Sequence, residues 1–250
     1  MGGETVFLYR IHPIKKIKGI KLIVAVHQPQ YIPWLGYFDK IRRADIFCYL
    51  DCVQYKKNDW QNRNRIKTAQ GWQWLTVPVR FNFPENICDV RINRTVNWRK
   101  KHLQALVTNY RRSPFFEQYI GVFEPIYLQD WEYIAGLNIH VIERLKAALG
   151  LDEKPAIQSS QLELREGPTD RLIDICKAVN ADTYLAGQDG TNYMDLERFK
   201  ENGIEVIIQE FKHPVYPQMF DGFESNMSVV DLLFNCGPES LDKICETNSV

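Results

Sequence analysis

Residues 22–50 read LIVAVHQPQYIPWLGYFDKIRRADIFCYL, and this stretch decides the fold class. Residues 22–26 (LIVAV) form a short apolar run rich in β-branched side chains, the pattern of a strand buried on both faces. The run stops at HQPQYIPWLG, where Pro29, Pro33 and Gly36 mark a loop. Residues 37–44 then read as a helix with Tyr37, Phe38 and Ile41 on one face. Residues 46–50 (IFCYL) are a second buried strand. Strand, loop, helix and strand within about thirty residues make a βαβ unit, whose strands run parallel.

The rest of the chain extends this unit. The polar tract at 51–67 (DCVQYKKNDWQNRNRIK) is too long for a simple turn and reads as a functional loop. Residues 72–79 read as a strand, with a further short strand over 87–92. Asn97 can cap a helix over 98–110. Residues 120–150 read as two successive helices, so 97–150 form a helical insert. Residues 155–164 are extended, and 169–179 form an amphipathic helix. Strands follow at 182–186 and 204–211, with short helices at 195–202 and 229–234. The expected architecture is α/β: a mostly parallel sheet with flanking helices, Rossmann-like, built as one domain over 21–250. Residues 1–20 read as an N-terminal extension.

Composition narrows the function. Lys+Arg and Asp+Glu are both 31, which gives no cationic excess for gripping a long nucleic acid. The six cysteines include no CxxC pair, so neither a zinc ribbon nor a thioredoxin-like centre is expected, and no metal-ligand cluster has zinc spacing. No run approaches the ~20 apolar residues needed to span a bilayer. A reduced cytoplasmic protein is the expectation. A homo-oligomer is compatible with the sequence.

In open α/β sheets, ligands sit outside the carboxyl ends of the strands. Three polar loops fall there: 27–36, 51–67 and 187–195. His27 follows a strand directly, where an imidazole can bind a phosphate oxygen or move a proton; its alternative is a bond to the loop backbone. Asp51 ends the second strand and could orient a hydroxyl, hold Mg²⁺ or act as a base. These two are the catalytic candidates. Tyr31 and Trp34 could stack on a base or sugar, or pack the loop. Gly36 could admit a ligand or simply open the helix. Gln28, Gln54, Lys57, Asn62, Arg63, Asn64 and Lys67 supply the amide and cationic donors of a phosphate and sugar surface. His102 shares a helical stripe with Leu106 and Tyr110 and could face the same ligand. Gly187, Asp189, Gly190, Tyr193 and Asp195 belong to a two-glycine loop whose N–H groups can cradle phosphate. No Walker A, GxGxxG or GxSxG motif is present.

Taken together, HQPQYIPWLGYFDKI, LD-VQY-K, NRNRIK and W-TVPV resemble the WbqC-like family. SSQL, the TDRL helix, ADTYLAGQDGTNYMD and SVVDLLFNCG extend the resemblance to about residues 22–240. It implies work on a sugar of bacterial O-antigen or another cell-surface polysaccharide, a nucleotide-linked amino sugar or its acyl or aminoacyl decoration. The first segment is also similar to nucleotidylyltransferases, but His27 has no second histidine nearby to complete an HxGH loop. The implied ligand is a nucleotide, ATP or a sugar nucleotide, with Mg²⁺ compatible. Three functions follow: a transferase, an ATP-dependent ligase working through an adenylate, or a non-catalytic sugar-nucleotide-binding assembly protein.

Overall fold

A computed structural model describes residues 21–246. The extension expected over 1–20 lies outside the described residues. The chain opens with β1 (Ile23–His27), α1 (Leu35–Arg43) and β2 (Ile46–Tyr49). A hairpin follows, β3 (Arg63–Thr68) with β4 (Gly71–Thr76), then the two-residue strands β5 (Val79–Arg80) and β6 (Arg91–Ile92). Three helices come next: α2 (Trp98–Tyr110), α3 (Phe116–Leu128) and α4 (Ile134–Ala148). The remainder is β7 (Ala156–Gln158), α5 (Pro168–Ala178), β8 (Thr183–Ala186), α6 (Leu196–Glu201), β9 (Glu205–Ile208), α7 (Val229–Cys236) and α8 (Ser240–Glu246).

The main sheet has the order β7-β2-β1-β8-β9, and every pair in it is parallel. Numbered by appearance within the sheet, this is 3-2-1-4-5, the order in which an open sheet is wound outward from its first strand in both directions. The winding reverses between β1 and β8. The period-2 alternation of side chains gives the sheet two buried faces. Val24, Val26, Ile46, Cys48, Tyr184 and Ala186 pack toward α5 and α6. Ala25, Phe47, Tyr49 and Leu185 pack toward α1, α4 and α7. That is why the strands read as unbroken apolar runs.

The expected parallel sheet with flanking helices is therefore observed. Three expectations change. The tract at 51–67 is not loop to its end, because residues 63–67 belong to β3 and pair antiparallel with β4. The strand expected over 87–92 is a 3₁₀ turn at Ile87–Asp89 followed by β6. The strand expected over 204–211 ends at Ile208. Beyond it the chain runs without regular structure to Ser228, through Pro214, Pro217 and Gly222, which suit turns rather than a ladder. No helix among the described residues is long and apolar enough to cross a membrane.

Candidate functional site

Because the five strands run the same way, their carboxyl ends share one edge. His27 ends β1, Gly187 follows β8, and the two strands are neighbours at the point where the winding reverses.

The His27 ring lies half-buried against Tyr37, with ring centroids 4.8 Å apart. Its Nδ1 is 3.2 Å from the Gln28 carbonyl oxygen. A carbonyl can only accept, so Nδ1 carries the proton and Nε2 keeps its lone pair. Burial first, and the nearby Lys40 charge second, hold the His27 pKa down to about 3. The imidazole is neutral at physiological pH.

Lys40 was not expected at this edge. It is 3% exposed, and its Nζ donates to the Val26 carbonyl at 2.9 Å. Burial lowers its pKa to about 7. A signal for it existed, since Lys40 lies three residues after Tyr37 and four before Ala44, on the apolar stripe of α1. Its neighbour Asp39 is bonded elsewhere, to Arg42 at 2.8 Å and Gln209 Nε2 at 2.8 Å.

The loops after β1 and β2 are tied together. Gln61 Nε2 donates to Gln28 Oε1 at 2.7 Å, and Tyr31 N donates to the Trp60 carbonyl at 3.0 Å. Asn138 of α4 bonds both the Pro29 and Gln61 carbonyls, at 3.0 and 2.7 Å. The loop after β8 contributes Gly187. A Cβ there would lie 3.9 Å from Lys40 Nζ. His27, Gln28 and Gly187 are thus brought together, with Lys40 among them.

Other expected residues have different work. Asp51 is buried, and its carboxylate accepts from Ser159 Oγ at 2.9 Å, Ser160 N at 2.8 Å and Ser160 Oγ at 2.7 Å. It braces the turn after β7 rather than facing a substrate as a base. Tyr31 is buried with its hydroxyl between His102 Nδ1 and Tyr127 Oη, both at 2.8 Å, so it stacks on no ligand. His102 is buried with it, and burial lowers its pKa to about 4. Trp34 packs edge-on against Phe211, and its indole fills the space that a Cβ on Gly36 would need, 2.3 Å away. Gly36 therefore admits a side chain of the protein itself. Asn62 Nδ2 donates to the Val77 carbonyl and Asn64 Nδ2 to the Ile32 carbonyl, both at 2.9 Å. Lys67 Nζ bonds the Gly222 carbonyl, which turns it from a phosphate ligand into a clasp for the 209–228 segment.

The remaining candidates are spread out. Arg63 lies over Trp74, 4.3 Å from the ring centroid, and bonds the Asn58 carbonyl. Gln54 and Lys57 are exposed on the loop before it. Gly190 packs closely, since a Cβ there would be 2.8 Å from Met194 and 3.0 Å from Ala186. Asp189 and Tyr193 are exposed, and Asp195 caps α6 by accepting from the Glu197 and Arg198 amides. Among the described residues, no group of three or more His, Cys, Asp or Glu side chains is gathered to hold a metal ion. A separate surface groove of about 530 Å³ lies between β4 and α2, lined by Gln73, Asn97, Lys101 and Gln104; it shares no residue with the sheet edge.

The model of the WbqC-like protein family matches residues 28–243. The chain belongs to this family. An uncharacterized protein of Mycobacterium tuberculosis (strain ATCC 25618 / H37Rv), Rv1507c, is 39% identical over 223 residues, which is 88% of this chain and 96% of that protein. No solved structure matches the chain. The WbqC-like match takes in the loop after β1, Lys40, the hairpin and the Gly187 loop; His27 stands immediately ahead of it.

Proposed function

We propose that this WbqC-like protein is a cytoplasmic transferase. Its substrate is a nucleotide-linked amino sugar, or the acyl or aminoacyl group such a sugar carries, in the synthesis of a bacterial cell-surface polysaccharide such as O-antigen. The observation that carries the reading is the neutral His27, whose Nε2 has no hydrogen-bond partner among the described residues. It stands where the sheet's winding reverses, the place an open α/β sheet offers a ligand. Held near a pKa of about 3, the free ring is a weak base; an anionic substrate bound beside it favours the imidazolium and raises that value, which makes Nε2 a competent proton acceptor in the complex. As the acceptor's nitrogen or oxygen bonds to the transferred group, Nε2 takes the acceptor's proton. The old bond breaks, and the leaving group departs with its electron pair. Gln28, fixed by Gln61, and the backbone at Gly187 border that position. Family membership supports the sugar assignment, and the approach of Lys40 to Gly187 supports an anionic ligand.

The test has two parts. A sugar nucleotide that binds only the folded chain raises its melting temperature, so a thermal-shift screen identifies the donor. With that donor, His27→Gln lowers turnover by roughly 10²–10⁴-fold, the usual size of an acid–base contribution. Unchanged turnover removes His27 from the chemistry. Pyrophosphate release from ATP in the presence of a carboxylic acid would replace this reading with the adenylate-forming ligase. Binding without turnover would leave the assembly protein.

A further inference from the structure

We propose that Lys40 is the anion-binding cation of the sheet edge, and that it holds a phosphoryl group, or an oxyanion of the same shape, in the space kept open by Gly187 beside His27. This rests on the transferase reading for its biological setting and deepens it by naming the group that the site grips.

The first argument is the state of the lysine. Lysine is almost never buried unless paired, because moving an ammonium out of water costs several kcal/mol. Among the described residues three lysines are buried: Lys40, Lys67 and Lys146. Lys146 pairs with Glu143 at 2.8 Å and also bonds the Lys154 carbonyl. Lys67 bonds the Gly222 and Phe220 carbonyls, and its charge opposes part of the rise that burial gives the Asp231 carboxyl. Lys40 has one carbonyl, that of Val26, and no carboxylate within ion-pair distance among the described residues. An ammonium has three donors, so two are left for a ligand. A methionine or leucine would fill the same space without the charge, so folding alone does not explain a lysine here.

The second argument is independent of the first. Gly187 has φ −74° and ψ 168°, extended backbone that any residue adopts, so conformation does not call for glycine. Sterics do not call for it either. A Cβ would meet only Lys40 Nζ, at 3.9 Å, an ordinary contact distance. What the missing side chain does is leave room in front of the ammonium. A branched side chain at 187 would project into that room.

The third is the charge around the site. His27 is neutral and its Nδ1 proton is on the Gln28 carbonyl, so the ring adds neither charge nor a donor, and Lys40 supplies the attraction for an anion. The loop after β8 that lies beside Lys40 carries Asp189 and Tyr193, both exposed, and Tyr37 on α1 has its hydroxyl on the Gln28 carbonyl. Because burial has lowered the Lys40 pKa to about 7, its charge and its grip on an anion depend on pH just above neutrality. An anion bound to the ammonium favours the protonated form, so affinity is highest below pH 7 and falls as pH rises beyond it.

Sulfate is a suitable probe, since its charge is constant over pH 6–9. Isothermal titration of the full chain with sodium sulfate, at ionic strength fixed by sodium chloride, is expected to show binding at pH 6 that weakens at least tenfold by pH 9. Lys40→Met removes both the binding and its pH dependence. Gly187→Val, which leaves Lys40 in place and closes the space, also removes the binding. UDP or ADP binds more tightly than uridine or adenosine in the wild type and loses that advantage in either variant. Far-ultraviolet circular dichroism and a single cooperative melt establish that each variant is folded. Should Lys40→Met fail to fold, Gly187→Val decides. Wild-type affinity for sulfate and for the diphosphates in a folded variant overturns the proposal. The two readings fail separately. Turnover of a sugar nucleotide with unchanged KM in Lys40→Met sinks the anion site and leaves the transferase. Anion binding through Lys40 with no turnover of any sugar nucleotide does the reverse.

Discussion

At the scale of single residues, His27, His102 and Lys40 all have lowered pKa values, and the consequences for stability fall in different pH windows. For the histidines the unfolded value is near 6.5 and the folded values are about 3 and about 4. Between those limits the unfolded chain binds more protons, so stability falls as pH drops from 6.5 toward 4. The urea midpoint is expected to fall steadily over that range, and His102→Gln to flatten part of the slope. A midpoint unchanged from pH 7 to 4.5 in the wild type and in Asp231→Asn alike would show that both rings are as easily protonated folded as unfolded. For Lys40 the window runs from 10.5 down to about 7, and at neutral pH the penalty of burying its charge is nearly complete. Lys40→Met should therefore stabilise the fold at pH 7, by on the order of 1–3 kcal/mol after allowing for the bond lost at the Val26 carbonyl, with the gain shrinking toward pH 10. Urea unfolding at the two pH values measures it; a loss of stability at pH 7 would mean that the Val26 bond outweighs the buried charge. His27 was legible in the sequence because it ends an apolar strand. Lys40 was not, because a lysine within KIRR reads as the solvated end of a helix, and only its phase with Tyr37 and Ala44 says otherwise.

At the scale of elements, β3 is what the sequence concealed; its hairpin partner β4 falls in the strand read over 72–79. The strand RNRIKT (Arg63–Thr68) has no apolar alternation to announce it, since both of its faces carry polar side chains. On one face Arg63 and Arg65 lie over Trp74 and Trp72, 4.3 and 5.0 Å from the ring centroids, so the guanidinium planes do the packing that aliphatic side chains do elsewhere. On the other face Asn64 is wholly buried beside Ile66. Asn64 Nδ2 donates to the Ile32 carbonyl, and Ile32 has φ 38°, a left-handed conformation that costs a β-branched residue energy and persists only where its surroundings hold it. The amide was readable as a donor, but its acceptor is the backbone of the loop after β1 and not a ligand. Asn64→Ala should cost about 1–3 kcal/mol, the penalty for leaving a buried carbonyl without its donor. Hydrogen exchange at the Tyr31 amide, which lies in the same loop as Ile32 and bonds the Trp60 carbonyl of the loop after β2, should quicken by the corresponding factor. Unaltered exchange there, with an unaltered melting temperature, would show that the loop is held by other contacts.

For the whole molecule, the two-faced parallel sheet was readable from its apolar runs and the helices over 98–148 from their periodicity, because both are properties of neighbouring residues. What joins those parts was not readable, because it rests on pairs that are not neighbours in sequence, from 13 to 121 residues apart. Asp231, on α7, is wholly buried and accepts from Tyr110 Oη at 2.8 Å, Tyr216 Oη at 2.9 Å and Gln218 Nε2 at 2.7 Å. Tyr110 Oη in turn accepts from the Lys67 amide at 2.9 Å. One carboxylate thus links the first helix of the insert, the hairpin, the irregular 209–228 segment and the last buried helix. Burial raises its pKa, so its protonation toward low pH adds stability and partly offsets the histidine effect described above. Asp231→Ala leaves two buried hydroxyls and an amide without their acceptor, at a cost of roughly 3–5 kcal/mol. That is a large share of the 5–15 kcal/mol typical of a folded domain. Asp231→Asn keeps one acceptor and should fall between the wild type and the alanine variant. Because Tyr216 and Gln218 hold the 209–228 segment to α7, the first cuts in limited proteolysis of Asp231→Ala should fall within that segment, before the sheet is attacked. An alanine variant that melts within a degree of the wild type, with an unchanged cleavage pattern, would show that these four parts are held together by contacts other than those of Asp231.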